Sequence, residues 1–247
     1  YERLGHPPLR PDIDLVRAVA SLPDGEVVAL GCGSGVSGAA LATLGRPVTG
    51  VDGSATMLDE ARSGGFYAGL QTADIATWVP TSPPALVFSN AALHWLGDHA
   101  SLFPRLAGSL APRGTLAVQM PHQNNAPSHR IWTTLAEEHF PRRAATLDQP
   151  GILRPADYHH LLAPLGSLSL WETEYYHVLP ASEDGHPVRR FTEATWARPI
   201  LAKLDPDERA RVIAAYDAVI DKAYPRAPDG SVLFPFRRLF FTLTVSG

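Results

Sequence analysis

The chain has little cysteine, little charge and no long apolar run, and each shortage closes off a class of protein. A single cysteine in 247 residues, Cys32, cannot form an internal disulfide, so a disulfide-stapled scaffold is excluded and a reducing cytoplasm is the expected setting. Charged residues make up only 19% and the formal net charge is −4. The clustered Lys and Arg of a nucleic-acid footprint are missing, and no nucleic-acid partner is expected. No apolar stretch reaches the ~20 residues needed to cross a bilayer, and no membrane partner is expected. The ten histidines form no H-E-x-x-H motif and no Cys-rich cluster accompanies them, so no metal is expected. No internal repeat, low-complexity tract or secretory leader is visible; the first residue is Tyr1, which leaves open what precedes it.

Hydrophobic residues at 45% supply a sizeable core for one α/β domain with additions. Asp12–Ser21 reads as a helix with Ile13, Val16, Val19 and Ala20 on one face. Short apolar runs follow at Val27–Leu30, Val48–Val51, Tyr67–Gln71, Leu86–Ser89 and Thr115–Met120, each read as a strand. Helices are expected between them at Ser37–Leu44, at Ala55–Arg62 with Ser54 as N-cap, and at Leu102–Leu110. This alternation predicts a parallel sheet with helices on both faces. Residues 121–164 are polar, His-rich and broken by prolines, and read as a helical cap. Leu168–Leu179 and Leu239–Val245 read as strands and Glu193–Ala223 as helical.

The most informative segment is Gly31-Cys32-Gly33-Ser34-Gly35-Val36-Ser37-Gly38, which leaves a strand and opens a helix. Glycines there allow unusual dihedrals and a close backbone approach to a ligand. Cys32, between two of them, reads as a small residue in a tight turn. Asp52, at the end of the next strand, is placed to accept hydrogen bonds from ribose hydroxyls. Two ligand classes compete. Residues 33–38 match the dinucleotide fingerprint G-x-G-x-x-G, and residues 31–35 match the G-x-G-x-G of S-adenosylmethionine sites. Asp74 after the third strand, within reach of an adenine amino group, and Asn90 after the fourth, at the methionine end, favour the second.

With these residues in place, the chain resembles the trans-aconitate methyltransferases, which esterify a carboxylate of a small tricarboxylic acid. The likeness begins at Tyr1 and Arg10-Pro11. It runs through Leu30–Gly35, Thr49–Asp52, Ala73–Trp78, Phe88–Trp95, Leu116–Pro121, Trp171–His177, Arg198-Pro199, Ala223–Pro225 and Arg238–Phe240. It implies a Rossmann-like class I methyltransferase fold: a seven-stranded, mostly parallel sheet with an antiparallel C-terminal strand and a helical cap. The expected organisation is a single methyltransferase domain over 1–247. Its cofactor-binding core is 1–120, its cap segments 121–165 and 185–232, and its closing strands 166–180 and 236–247. Four positions depart from the family pattern: Ala29, where an acid that helps hold the donor's amino group is usual, and Pro8, His94 and His122.

The resemblance, joined to the loop reading, assigns S-adenosyl-L-methionine to Arg10, Gly31, Cys32, Gly33, Gly35, Asp52, Gly53, Met57, Asp74, Ile75 and Asn90. An acceptor carboxylate of pKa ~4 is already ionised at neutral pH and needs no general base. The expected mechanism is therefore positioning, with no catalytic acid or base. The groups that do not react need cationic holds, for which arginine offers a bidentate fork. The expected acceptor residues are His94, Trp95, His122, His129, Tyr176, His177, Arg198 and Arg238, with Trp196 and Phe240 as further pocket aromatics. Arg142, Arg143, Arg154, Arg189 and Arg190 read as ordinary surface arginines. The expected partner is a small-molecule acceptor, and the expected state a monomer or small homo-oligomer. Rival readings are a class I methyltransferase of another small-molecule or acyl-carrier acceptor, a donor-binding module without turnover (from Ala29), and a nicotinamide oxidoreductase (from residues 33–38).

Overall fold

The computed structural model describes residues 9–19, 21–144 and 151–247; Tyr1 and Pro8 lie outside the described residues, as do positions 145–150 of the expected cap. Five short strands arise where the apolar runs predict them: β1 (Val27–Leu30), β2 (Val48–Asp52), β3 (Gly69–Thr72), β4 (Leu86–Asn90) and β5 (Thr115–Pro121). All four β1 residues are buried, as expected of a central strand covered on both faces. Helices α1 (Leu9–Ala18), α2 (Gly38–Ala42), α3 (Ala55–Gly64) and α4 (His99–Gly108) alternate with them. Then come α5 (Pro127–His139), α6 (Pro141–Ala144), α7 (Pro155–Leu162), β6 (Gly166–Leu179), α8 (Pro187–Glu193), α9 (Arg198–Leu201), α10 (Pro206–Ala223) and β7 (Val232–Val245).

The strands form one sheet in the order β3-β2-β1-β4-β5-β7-β6. β1 to β5 run parallel, and β7 is antiparallel to β5, with Thr115 opposite Thr244 and Pro121 opposite Arg238. Several boundaries differ from the sequence reading: α1 spans Leu9–Ala18 rather than Asp12–Ser21, and three further differences have a local cause. Helix α4 begins at His99 because Asp98 caps it, accepting from the Ser101 N–H at 3.3 Å. The expected helical stretch 193–223 is the last residue of α8 followed by two separate helices, with Pro199 and Pro206 in the first turns of α9 and α10. β7 starts seven positions earlier than Leu239. Val232, Phe234 and Phe236 are buried there while Leu233 and Arg237 face outward, a period of two.

The described residues divide into two compact units. One holds those of 9–121, 151–173 and 238–247. Its core is built by the sheet residues Val28, Val87, Leu116, Val118 and Phe241 with Phe103 and Tyr158. His99 and Tyr158 form a paired polar group within it. His99 Nε2 lies 3.0 Å from the Leu93 carbonyl and so carries the proton, which leaves Nδ1 to accept from the Tyr158 hydroxyl at 2.7 Å. The same hydroxyl accepts from the Leu153 N–H at 3.1 Å. Burial pushes the pKa of His99 down, consistent with the neutral ring this pairing requires.

The other unit holds the described residues of 122–144 and 174–237. Its core is aromatic. Trp132 stacks on Tyr216 at 4.1 Å and donates to Thr192 Oγ1 at 2.8 Å. Truncating so buried a tryptophan to alanine costs about 3–5 kcal/mol. Asp205 and Glu208 form a reciprocal capping box that starts α10. Arg189 corrects its surface reading: it is 6% exposed and holds Glu193 at 2.7 Å and Asp217 at 2.9 Å.

Candidate active site

The glycine loop is fastened before any ligand is considered. The Gly31 and Cys32 N–H groups both donate to the Val51 carbonyl, at 2.8 and 3.0 Å. Gly31 has φ +73°, and a Cβ there would collide with that of Ala92. Gly35 has φ +90°, and its Cβ would crowd Ala61 at 3.0 Å and Tyr67 at 3.1 Å. Both positions demand glycine for dihedral and for space. Beside Gly33 nothing lies within 4 Å of a built Cβ, so the backbone there is open to an approaching ligand.

Asp52 closes the loop from the β2 side. Its Oδ2 accepts from the Gly33 N–H at 2.9 Å and its Oδ1 from the Ser54 N–H at 2.9 Å. Each carboxylate oxygen keeps a second lone pair for hydroxyl donors. Cys32 is buried against Gly50; burial first, then the charge of Asp52, pushes its thiol up to about 12. It is an inert small residue, as its setting in the loop implies.

The remaining cofactor candidates ring this loop unevenly. Asp74 is exposed and accepts from the Ala76 N–H at 2.9 Å, which leaves its second oxygen outward. The Ile75 methyl lies 3.6 Å from where a Gly31 Cβ would stand. Gly53 and Met57 are exposed at the start of α3. Asn90 ends β4 and donates to Asp12 at 2.9 Å. Arg10 is exposed, and its Nε donates to Asp14 at 3.1 Å, one turn along α1.

Asp12 is the residue that the sequence reading passed over. It is wholly buried, and its Oδ1 accepts from Ser37 Oγ as well as from Asn90. Its Oδ2 is buried with no hydrogen-bond partner. Desolvation raises its pKa from 3.8 to about 6, against the opposing pull of Ser37, Arg238 and Asn90. An acid in the first turn of a helix ordinarily faces water, so the sequence carried no signal of this burial.

Three acceptor candidates share the sheet unit. Arg238 is buried on β7, and its Nη1 donates to Gln119 Oε1 at 3.0 Å on the neighbouring strand. His94 is buried in the 3-10 turn Leu93–Trp95, with Nδ1 lacking a partner. Burial, then the charges of Arg238 and His99, lower its pKa to about 3, so the ring is neutral. Trp95 beside it is 56% exposed. Phe240, expected in a pocket, is instead fully buried and stacked on Trp171 at 5.2 Å.

Five candidates belong to the other unit. His129 is buried, within 2.9 Å of Ser128 Oγ and 4.8 Å of the Trp196 ring; burial lowers its pKa to about 3. The His122 N–H donates to the Arg237 carbonyl at 2.9 Å. Tyr176 and His177 are neighbours on β6 and point to opposite faces. Tyr176 is 61% exposed and bonds Glu174 at 2.7 Å, whereas His177 is half-buried against Phe236. The two cannot serve one pocket from the same face. Arg198 is exposed at the start of α9. Among the described residues no group of three or more His, Cys, Asp or Glu is placed to hold a metal. No helix among them is long and apolar enough to cross a membrane.

Solved structures share the architecture. The YcgJ protein of Bacillus subtilis aligns at a TM-score of 0.61 and 14% identity, over 96% of this chain and 99% of that one. A Haemonchus contortus phosphoethanolamine N-methyltransferase 2, solved with S-adenosyl-L-methionine, aligns at 0.55 and 14%, over 96% of this chain and 52% of that one. The family described as a methyltransferase domain matches residues 28–118, from β1 to β5. Fold, loop and family together define a class I S-adenosylmethionine-dependent methyltransferase. Trans-aconitate 2-methyltransferases of Methylobacterium radiotolerans and Sinorhizobium medicae are 38% and 40% identical to this chain, over 97% and 95% of its length and 94% and 93% of theirs. The chain belongs to the trans-aconitate methyltransferase family.

Proposed function

We propose that the protein methylates a carboxylate oxygen of a small polycarboxylate, with trans-aconitate as the first acceptor to consider. The observation that carries this reading is Arg238, a buried arginine fixed by Gln119 and set opposite Pro121 at the end of the parallel strands. Open α/β sheets take their ligands at that end. The names of the relatives, at about two-fifths identity over nearly the whole chain, support it.

S-adenosylmethionine, when bound, supplies an electrophilic methyl group on a sulfonium sulfur. The chain's own part is to bind, orient and exclude water. Asp52 offers acceptors to the ribose hydroxyls, Asp74 its outward oxygen to the adenine amino group, and the loop backbone at Gly31, Gly33 and Gly35 the close approach. Arg238 would hold an acceptor carboxylate that does not react, with His94 and Trp95 of the same unit as further acceptor contacts; Arg198, His122, His129, Tyr176 and His177 stay acceptor candidates of the other unit. No residue need remove a proton, because the attacking oxygen is already ionised. Union of anion and sulfonium neutralises charge, which a dry, prearranged site favours. A cytoplasmic home fits the one buried free thiol.

Steady-state kinetics of Arg238→Ala test the assignment. The acceptor KM is expected to rise about 10- to 100-fold, the scale of a lost charged hydrogen bond, with donor KM changed far less. An unchanged acceptor KM would remove Arg238 from the site. His94 and His122 depart from the pattern that the resemblance implies, and they motivate a second reading in which the preferred acceptor is a different small carboxylate; the same assay run on a panel of di- and tricarboxylates separates the two.

A further inference from the structure

The donor site contains a buried carboxylate whose occupant the fold does not supply. Asp12 lies on α1, and its Oδ1 is bound by Ser37, the last residue before α2, and by Asn90, the last of β4. β1 separates the β2-β3 side of the sheet from the β4-β5 side. The carboxylate therefore sits at the topological switch point, where open α/β sheets take ligands. Ser37 and Asn90 account for Oδ1 alone. Oδ2 of Asp12 and Oδ1 of Asn90 are both buried without partners among the described residues.

A side chain that only tethered Ser37 and Asn90 would need one accepting oxygen, which an asparagine supplies without charge. The negative charge itself needs a cation. Arg238 faces Asp12 from β7 and is attracted to it, but its Nη1 is directed to Gln119. Tyr67, a second titratable neighbour, has a buried hydroxyl without a partner among the described residues; burial first, with Asp12's charge adding to it, keeps it protonated. Ala29, buried on β1, carries no polar group. What is lacking among the described residues is a compact cation with several donors, able to meet two acceptors at once; a primary ammonium has that form.

We propose that Asp12 Oδ2 holds the α-ammonium group of S-adenosylmethionine, with Asn90 Oδ1 as the second acceptor. The assignment rests on the donor reading of this site and is independent of the acceptor.

Calorimetric titration with S-adenosylhomocysteine and with its analogue lacking the α-amino group provides the test. Native protein is expected to bind the analogue about 30-fold more weakly. In Asp12→Asn, which keeps the accepting oxygen for Ser37 and Asn90, that preference is expected to shrink to a fewfold. Ser37→Ala, which leaves Oδ2 untouched, is expected to retain it. Equal affinity of native protein for the two ligands overturns the proposal without recourse to a variant, and so does a preference that survives intact in Asp12→Asn. Failure of native protein to bind S-adenosylhomocysteine at all would instead strike the donor reading beneath it.

Discussion

The side-chain amide of Asn90 donates to the carboxylate of Asp12 at 2.9 Å, tying the end of a central strand to the first helix across 78 positions of chain. The bond does not repay what Asp12 loses by burial. Its pKa rises from 3.8 to about 6, so the fold prefers the protonated acid. The stability from this group is complete below pH 3.8 and lost as pH rises through about 6. Relative to Asp12→Asn, native protein should lose on the order of 3 kcal/mol between pH 4 and 7. Urea unfolding of both across that range measures it, and a constant difference would deny the burial of the charge.

His129 titrates in the opposite sense. Burial lowers its pKa from 6.5 to about 3, so the unfolded chain takes up a proton that the fold refuses. Its contribution is present above pH 6.5 and drains away as pH falls towards 3. Replacement by leucine should flatten the acid limb of stability by at least ~2 kcal/mol between pH 6.5 and 4. Equal slopes in the two proteins would mean that the ring is charged in the native state.

Gly31→Ala concentrates two penalties at one place. Its φ of +73° disfavours any side chain, and the new methyl would strike Ala92. A loss of about 2 kcal/mol or more is expected, with donor affinity falling at least tenfold. Thermal melts and S-adenosylhomocysteine titration check both; native-like values would show that the loop has room to shift.

Much of the sheet is legible in the sequence because its strands are local signals. Val27–Leu30 and Leu86–Asn90 are dense apolar runs closed by turn residues, and a buried parallel strand needs little else. The glycine loop and Asp52 are legible for the same reason, since dihedral and spacing are properties of neighbouring residues. What escapes is set by distant packing. Arg189 reads as surface until Asp217, on another helix, is seen to bury it. Residues 232–238 hide a strand behind Pro235, and only the alternation of Val232, Phe234 and Phe236 betrays it. Asp12 reads as a first-turn acid, and its role depends on Ser37 and Asn90, which no window of sequence contains.

The most direct measurement is transfer of label from methyl-labelled S-adenosylmethionine to trans-aconitate, scored as base-labile ester after separation of product from donor. The expected result is acceptor-dependent ester formation that falls away in Arg238→Ala. Absence of labelled ester from trans-aconitate and from every other small polycarboxylate, with S-adenosylhomocysteine binding intact, would contradict carboxyl methylation while leaving the donor site standing.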